Sequence, residues 1–217
     1  MMRNDNLTEL VFILDKSGSM AGLERDTIGG FNAMLEKQKS AEGEAVVTTV
    51  LFNNGYELLH DRIPVRAIAP LTEREYRVGG STALLDAAGR TIHKIIHAAK
   101  RTAPEYRPGK VMFVITTDGH ENASREFNYE QIRALIERQK KEYGWEFLFL
   151  GANIDAVAAA DQFGIGADRA ANYHADGAGT RLNFEAVSEA ISGLRESRPL
   201  TSAWKERIDR DYKRRGR

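Results

Sequence analysis

Three short stretches of the chain gather small oxygen-bearing side chains around glycine: Asp15-Lys16-Ser17-Gly18-Ser19-Met20, Gly79-Gly80-Ser81-Thr82 and Thr117-Asp118-Gly119. In the first, an aspartate is followed by hydroxyls at the second and fourth positions after it. A chain that curls there aims three oxygens at one point, and Gly18 makes the curl easy. Asp15, Ser17, Ser19, Thr82 and Asp118 together offer two carboxylates and three hydroxyls, with no histidine or cysteine. An all-oxygen set suits a hard divalent ion that keeps part of its water, Mg²⁺ or alternatively Mn²⁺. Ser81, Gly119, His120 and Glu121 flank these residues, and Asp86 lies one helical turn beyond Thr82, so all five are rim or supporting groups around the same point. Taken singly, each stretch reads as a turn or a helix cap. Their joint order is what favours a metal site.

The five side chains are spread widely along the sequence and meet only if the strands ending at Asp15 and Asp118 are neighbours. The patterning supplies such strands. Short apolar runs rich in β-branched and aromatic residues alternate with stretches of helical period, which predicts an α/β fold: a doubly wound, mostly parallel sheet with helices on both faces. Strands are expected over residues 9–14, 45–52, 111–116 and 145–150, with a weak one over 169–174. Helices are expected over 27–38, 83–100, 129–143, 156–163 and 182–194. Asn53-Asn54-Gly55 predicts a hairpin that returns over 56–63 as an antiparallel edge strand. In such a sheet, the crevice outside the carboxyl ends of the strands, where the strand order reverses, is where the loops converge.

Asp15-x-Ser17-x-Ser19, then Thr82, then Asp118 resembles the metal-ion-dependent adhesion site of von Willebrand factor A and integrin I domains, of the stand-alone bacterial type, over roughly residues 8–194. The resemblance implies that Ser17 and Ser19 bind the ion directly and that Thr82 moves with state. It further implies that Asp15 and Asp118 fix charge and water. The function it implies is recognition: a protein partner supplies an Asp or Glu to the metal, and intracellular bacterial relatives work beside AAA+ ATPases or in multiprotein assemblies. Substitution of Asp15, read as a carboxylate on a surface loop, is then expected to remove the ion and leave the fold intact.

Two other functions compete. A Mg²⁺-dependent phosphohydrolase would use Asp15 as nucleophile, but the position of its general acid holds Ser17, which cannot act as one at neutral pH. There is no Walker loop, dinucleotide glycine fingerprint or Gly-x-Ser-x-Gly elbow, so a non-enzymatic protein is expected. His93 and His97 have the spacing of a zinc-protease pair, but Lys94 stands beside them and they fall off the apolar stripe, on a solvated face.

Formal net charge is zero, with 31 basic and 31 acidic residues. The basic excess is confined to residues 195–217, which suggests a tail beyond a domain spanning 1–194. That tail is a candidate nucleic-acid arm, but Trp204, Ile208 and Tyr212 recur at helical spacing, which favours a short helix docked on its own domain or on a partner and makes nucleic acid the weaker reading. The chain has no cysteine, so disulfides and thiolate-held metals are excluded. Without an apolar leader or a span-length apolar run, a cytoplasmic protein with no membrane contact is expected.

Overall fold

The computed structural model describes residues 4–216. Six strands form: β1 Asn4–Asp15, β2 Glu44–Phe52, β3 Tyr56–Pro64, β4 Pro108–Thr117, β5 Glu146–Ala152 and β6 Ala170–Tyr173. Six α-helices accompany them: α1 Glu24–Lys39, α2 Leu84–Arg101, α3 Tyr129–Tyr143, α4 Ala156–Gln162, α5 Gly177–Arg195 and α6 Glu206–Arg215. The strands make one sheet in the order β3-β2-β1-β4-β5-β6, parallel throughout except for β3, which runs antiparallel to β2 at one edge.

β1 lies at the centre because its side chains are apolar toward both faces. Leu10, Phe12 and Leu14 join the core beneath α1, α5 and α6, while Val11 and Ile13 join the core beneath α2, α3 and α4. A strand buried on both sides has no solvated face, which is why its sequence runs continuously apolar instead of alternating. From β1 the chain crosses by α1 to β2 on one side, and from β4 it crosses by α3 to β5 on the other. The strand order therefore reverses between β1 and β4. Their register pairs Leu14 with Thr116, so the residues that follow each strand, Asp15 and Thr117-Asp118, emerge side by side.

Several element starts differ from the expected ones: α2, β5 and β6 begin one residue later, whereas α1, α5 and β1 begin well before. α1 begins at Glu24, where Glu24 and Asp26 in the first turn complement the helix dipole, a signal that apolar periodicity does not register. α5 begins at Gly177 because the Asp176 carboxylate accepts from the Gly179 amide at 2.8 Å. Its glycines otherwise read as loop. β1 begins at Asn4, its polar first half continuing the parallel ladder on β2 and β4.

The 53–55 turn is also different in kind. The strands do pair as a hairpin, with Phe52 opposite Tyr56. However, neither Asn54 nor Gly55 has the positive φ that the tightest Asn-Gly turn needs. Instead the Asn53 side chain accepts from the Gly55 amide at 2.8 Å, closing a three-residue loop.

The C-terminal segment packs onto the sheet's far edge. Trp204 and Ile208 are buried in the α1/α5 core, with Tyr212 partly exposed and stacked on His174. The stripe read from the sequence is thus a docking stripe. Most of the segment's charge is met internally: Arg207 pairs with Glu185 and Glu189 of α5, and Arg215 with Asp176 and Asp211. Arg195 donates to the carbonyls of Gln38, Glu42 and Gly43 at 2.6, 3.0 and 3.1 Å. None of the described helices is long and apolar enough to cross a membrane.

Candidate metal centre

Asp15 ends β1 and is 1% exposed. Its Oδ1 accepts from the Ser17 amide and its Oδ2 from the Thr117 hydroxyl, both at 2.6 Å. The Tyr76 hydroxyl donates to the Asp15 carbonyl. The carboxylate therefore ties the first loop to the end of β4 as well as carrying charge. This corrects the expectation that Asp15 is a surface carboxylate whose loss would leave the fold untouched. Thr117, completely buried, is a supporting residue that sequence reasoning grouped with the third loop without giving it a role.

From Asp15 the chain curls back over the strand ends. The hydroxyls of Ser17 and Ser19 lie 3.1 Å apart, and Ser19 Oγ donates to Asp118 Oδ1 at 2.5 Å. A Cβ placed on Gly119 would come 3.2 Å from Ser19 Oγ and 3.5 Å from Thr82 Oγ1, which locates the Thr82 hydroxyl beside Ser19 and Asp118. Thus Ser17, Ser19, Thr82 and Asp118 converge at one place, with Asp15 directly behind.

Glycine is required where the first two loops meet. Gly80 has φ +80, and a Cβ on it would strike the Asn54 amide at 2.2 Å. Its carbonyl accepts from the Gly18 amide at 3.0 Å, and the Gly79 amide donates to the Lys16 carbonyl at 2.9 Å. A Cβ on Gly18 would sit 3.4 Å from the Gly80 carbonyl, an ordinary contact, so the approach there does not by itself demand glycine. Asn53 fastens the second loop from below, its side chain donating to the Gly79 carbonyl and its carbonyl accepting from the Ala83 amide, each at 2.8 Å. This role of Asn53 was hidden behind its reading as a hairpin residue.

The residues expected at the rim divide by task. Glu121 accepts from the Leu85 amide at 2.9 Å, satisfying an otherwise open N–H in the first turn of α2. Asp86 accepts from the amides of Arg125, Glu126 and Phe127 at 2.9, 2.9 and 3.0 Å. Asn122 exchanges two bonds with the Thr82 backbone. These three clamp the loop after β4 onto the start of α2. The clamp sets the position of Thr82 relative to Asp118. Ser81 and His120 are exposed beside the site, and Gly119 lets the third loop pass close to Ser19.

The electrostatics are those of a centre short of positive charge. Burial pushes both carboxyls above the ordinary aspartate value of 3.8. For Asp15 the Thr117 hydroxyl and Ser17 amide partly offset that, and for Asp118 the Ser19 hydroxyl offsets it while the Asp15 charge adds to it. Asp118 Oδ2 is buried with no hydrogen-bond partner among the described residues. Lys16, the nearest cation in sequence, is drawn away to Glu57 on β3 at 2.5 Å. Two buried carboxylates and three hydroxyls, with one carboxylate oxygen left unpaired, fit a hard divalent cation.

A pH effect follows from the raised values. A carboxyl whose folded pKa lies above its unfolded one contributes stability at low pH that is lost as pH rises through the folded pKa. In chelator, the melting temperature of Asp118→Asn relative to the parent is therefore expected to climb between pH 4 and 7. Thermal unfolding across that range checks it, and a flat difference would mean that Asp118 is comfortably ionised in the metal-free protein.

No family model matches the chain, and no curated protein matches its sequence. Solved structures do match. A von Willebrand factor type A protein from Catenulispora acidiphila superposes with a TM-score of 0.59 at 15% identity, covering 88% of this chain and 43% of that one. Proximal thread matrix protein 1 from the mussel byssus gives 0.57 at 12% identity, covering 86% and 46%. A minor pilin from Streptococcus sanguinis gives 0.52 at 13% identity, covering 91% and 63%. The chain spans roughly half the length of the first two. At such identities the likeness concerns architecture, and with the sheet order and its one antiparallel edge strand it establishes that this chain has the fold of a von Willebrand factor type A domain.

Proposed function

We propose that the protein is a Mg²⁺-dependent protein-binding module, in which Ser17, Ser19, Thr82, Asp15 and Asp118 hold the ion and an Asp or Glu of a partner completes its coordination. The observation that carries this reading is the buried, unpaired Asp118 Oδ2 beside the converging hydroxyls of Ser17, Ser19 and Thr82. Mg²⁺ held mostly by neutral oxygens stays electron-poor, and so supplies an open position for one more anionic oxygen. The chain's part is to hold the three loops together, through the Asp15–Thr117 bond and the Asp86, Glu121 and Asn122 clamp, so that the hydroxyls are gathered at one point before the ion binds.

The phosphohydrolase reading is disfavoured by the state of Asp15. Both of its oxygens are held by protein donors and it is 1% exposed, whereas a nucleophile must reach a phosphorus atom along an open line. The nucleic-acid reading is disfavoured by the internal ion pairs of the C-terminal segment. An AAA+ ATPase or a multiprotein assembly remains the partner class to which the sequence resemblance points.

The test is an affinity pull-down of partners with and without EDTA, followed by affinity measurement for the parent and Thr82→Ala. The Thr82 hydroxyl has no hydrogen-bond partner among the described residues, while its backbone is held by Asn122. The substitution should therefore leave the melting temperature nearly unchanged yet weaken partner binding about 10-fold or more, the equivalent of roughly 1.4 kcal/mol. Binding that survives both EDTA and the substitution would place recognition on another surface.

A further inference from the structure

On the α2/α3 face, away from the three loops, a cavity of about 220 Å³ opens between the lower halves of α2 and α3 over the start of β4. Its inner wall is apolar and flat: Val111 and Trp145 are buried there, and the Trp145 ring stacks on Phe113 at 5.5 Å. Its mouth is cationic. Lys100 and Arg107 line it, and neither has an acidic partner among the described residues, the Arg107 Nε donating instead to the Thr102 carbonyl at 2.7 Å. His93 and His97, on what the sequence reads as a merely solvated helix face, line the same opening with rings 6.4 Å apart. The one carboxylate in the wall, Glu9, is already engaged by Arg62 at 3.0 Å.

One buried polar group also borders the space. Gln139 is 3% exposed and lines the cavity.

We propose that this cavity is a binding site for a small organic anion with a flat apolar body, its ring against Trp145 and Val111, a polar group on the Gln139 amide and its negative charge between Lys100 and Arg107. The dimensions suit a bicyclic ring system, and the arrangement of an apolar wall with few converging polar groups is that of small-molecule sites in general. The site is independent of the metal centre, and neither reading requires the other.

The experiment titrates the protein with 1-anilinonaphthalene-8-sulfonate and with the uncharged N-phenyl-1-naphthylamine, following fluorescence and amide and indole NMR shifts. Expected are one-to-one binding of the sulfonate, shifts at the Trp145 indole and along α2 and α3, and affinity for the neutral probe about 10-fold weaker, as one lost charge contact of roughly 1.4 kcal/mol would give. Lys100→Glu, at an exposed position, should weaken the sulfonate about 10-fold and leave the neutral probe unchanged. Leu135→Trp should fill the space and abolish both. Asp118→Ala should change neither. Equal affinities for the two probes, insensitivity to Lys100→Glu, or shifts confined to another surface would each overturn the proposal.

Discussion

Asp118→Ala is expected to abolish Mg²⁺ and Mn²⁺ binding and, in chelator, to make the protein more stable than its parent. The two effects share one cause. Asp118 is 1% exposed, one of its oxygens has no partner among the described residues, and the Asp15 charge lies nearby. Leaving a buried polar atom unpaired costs about 1–3 kcal/mol, which is relieved when the carboxylate is removed. Among the described residues, the donor it abandons is Ser19 Oγ, which is on an exposed residue and can turn to water. Calorimetric Mn²⁺ titration and denaturant unfolding in EDTA measure both halves. A variant that still binds Mn²⁺, or that unfolds earlier than the parent, would remove the metal assignment at its strongest point.

Asp15→Ala should behave in the opposite way, although it removes the same functional group. It strands the Ser17 amide and leaves the Thr117 hydroxyl with the longer contact to the Gly119 carbonyl at 3.2 Å, so a loss of about 1–3 kcal/mol is expected along with the ion. The contrast between the two carboxylates could not be read from the sequence, where both stand at the end of an apolar strand and look equivalent. What distinguishes them is the threonine that precedes Asp118. Its hydroxyl crosses from β4 to β1, a contact that exists only once those strands are neighbours.

Other parts of the fold were legible, for a definable reason. β1 and β4 are buried on both faces, so their apolar runs leave no second interpretation, and the oxygen-bearing loops follow them at once. The starts of α1 and α5 were not legible from apolar period, because they rest on charge near a helix dipole and on the Asp176 cap. The supporting contacts of the centre escaped for a similar reason. Asn53 is spent on the second loop, Tyr76 on the Asp15 carbonyl and Asn122 on the Thr82 backbone, all through bonds between segments far apart in sequence. Local patterning shows which side chains carry oxygen. It does not show which of them is already committed.

The C-terminal segment, where sequence charge and structure pull apart most, gives the largest expected change in stability. Trp204 is 9% exposed within the α1/α5 core, and its indole N–H donates to the Asp168 carbonyl at 2.9 Å. The residues around it cover β6, the outer strand on that side. Lys205 donates to the Ala170 carbonyl at 2.8 Å, and Arg169 reaches back to the Leu200 carbonyl at 2.7 Å. A parallel edge strand left bare would offer its backbone to other chains. Trp204→Ala should therefore cost about 3–5 kcal/mol, as large aromatic truncations in cores do, and lower the melting temperature by roughly 6–20 °C for a chain of this size. Shortening the chain to end at Arg198 should go further, exposing β6 and producing aggregation that scales with concentration. Thermal unfolding and light scattering follow the two. Mn²⁺ binding by Trp204→Ala, measured well below its melting point, should match the parent, because the three loops at the strand ends do not include the indole. A nucleic-acid arm would give another pattern: melting within about 0.5 kcal/mol of the parent, as surface substitutions do, and a steep, salt-dependent affinity for nucleic acid that falls when Trp204 is removed.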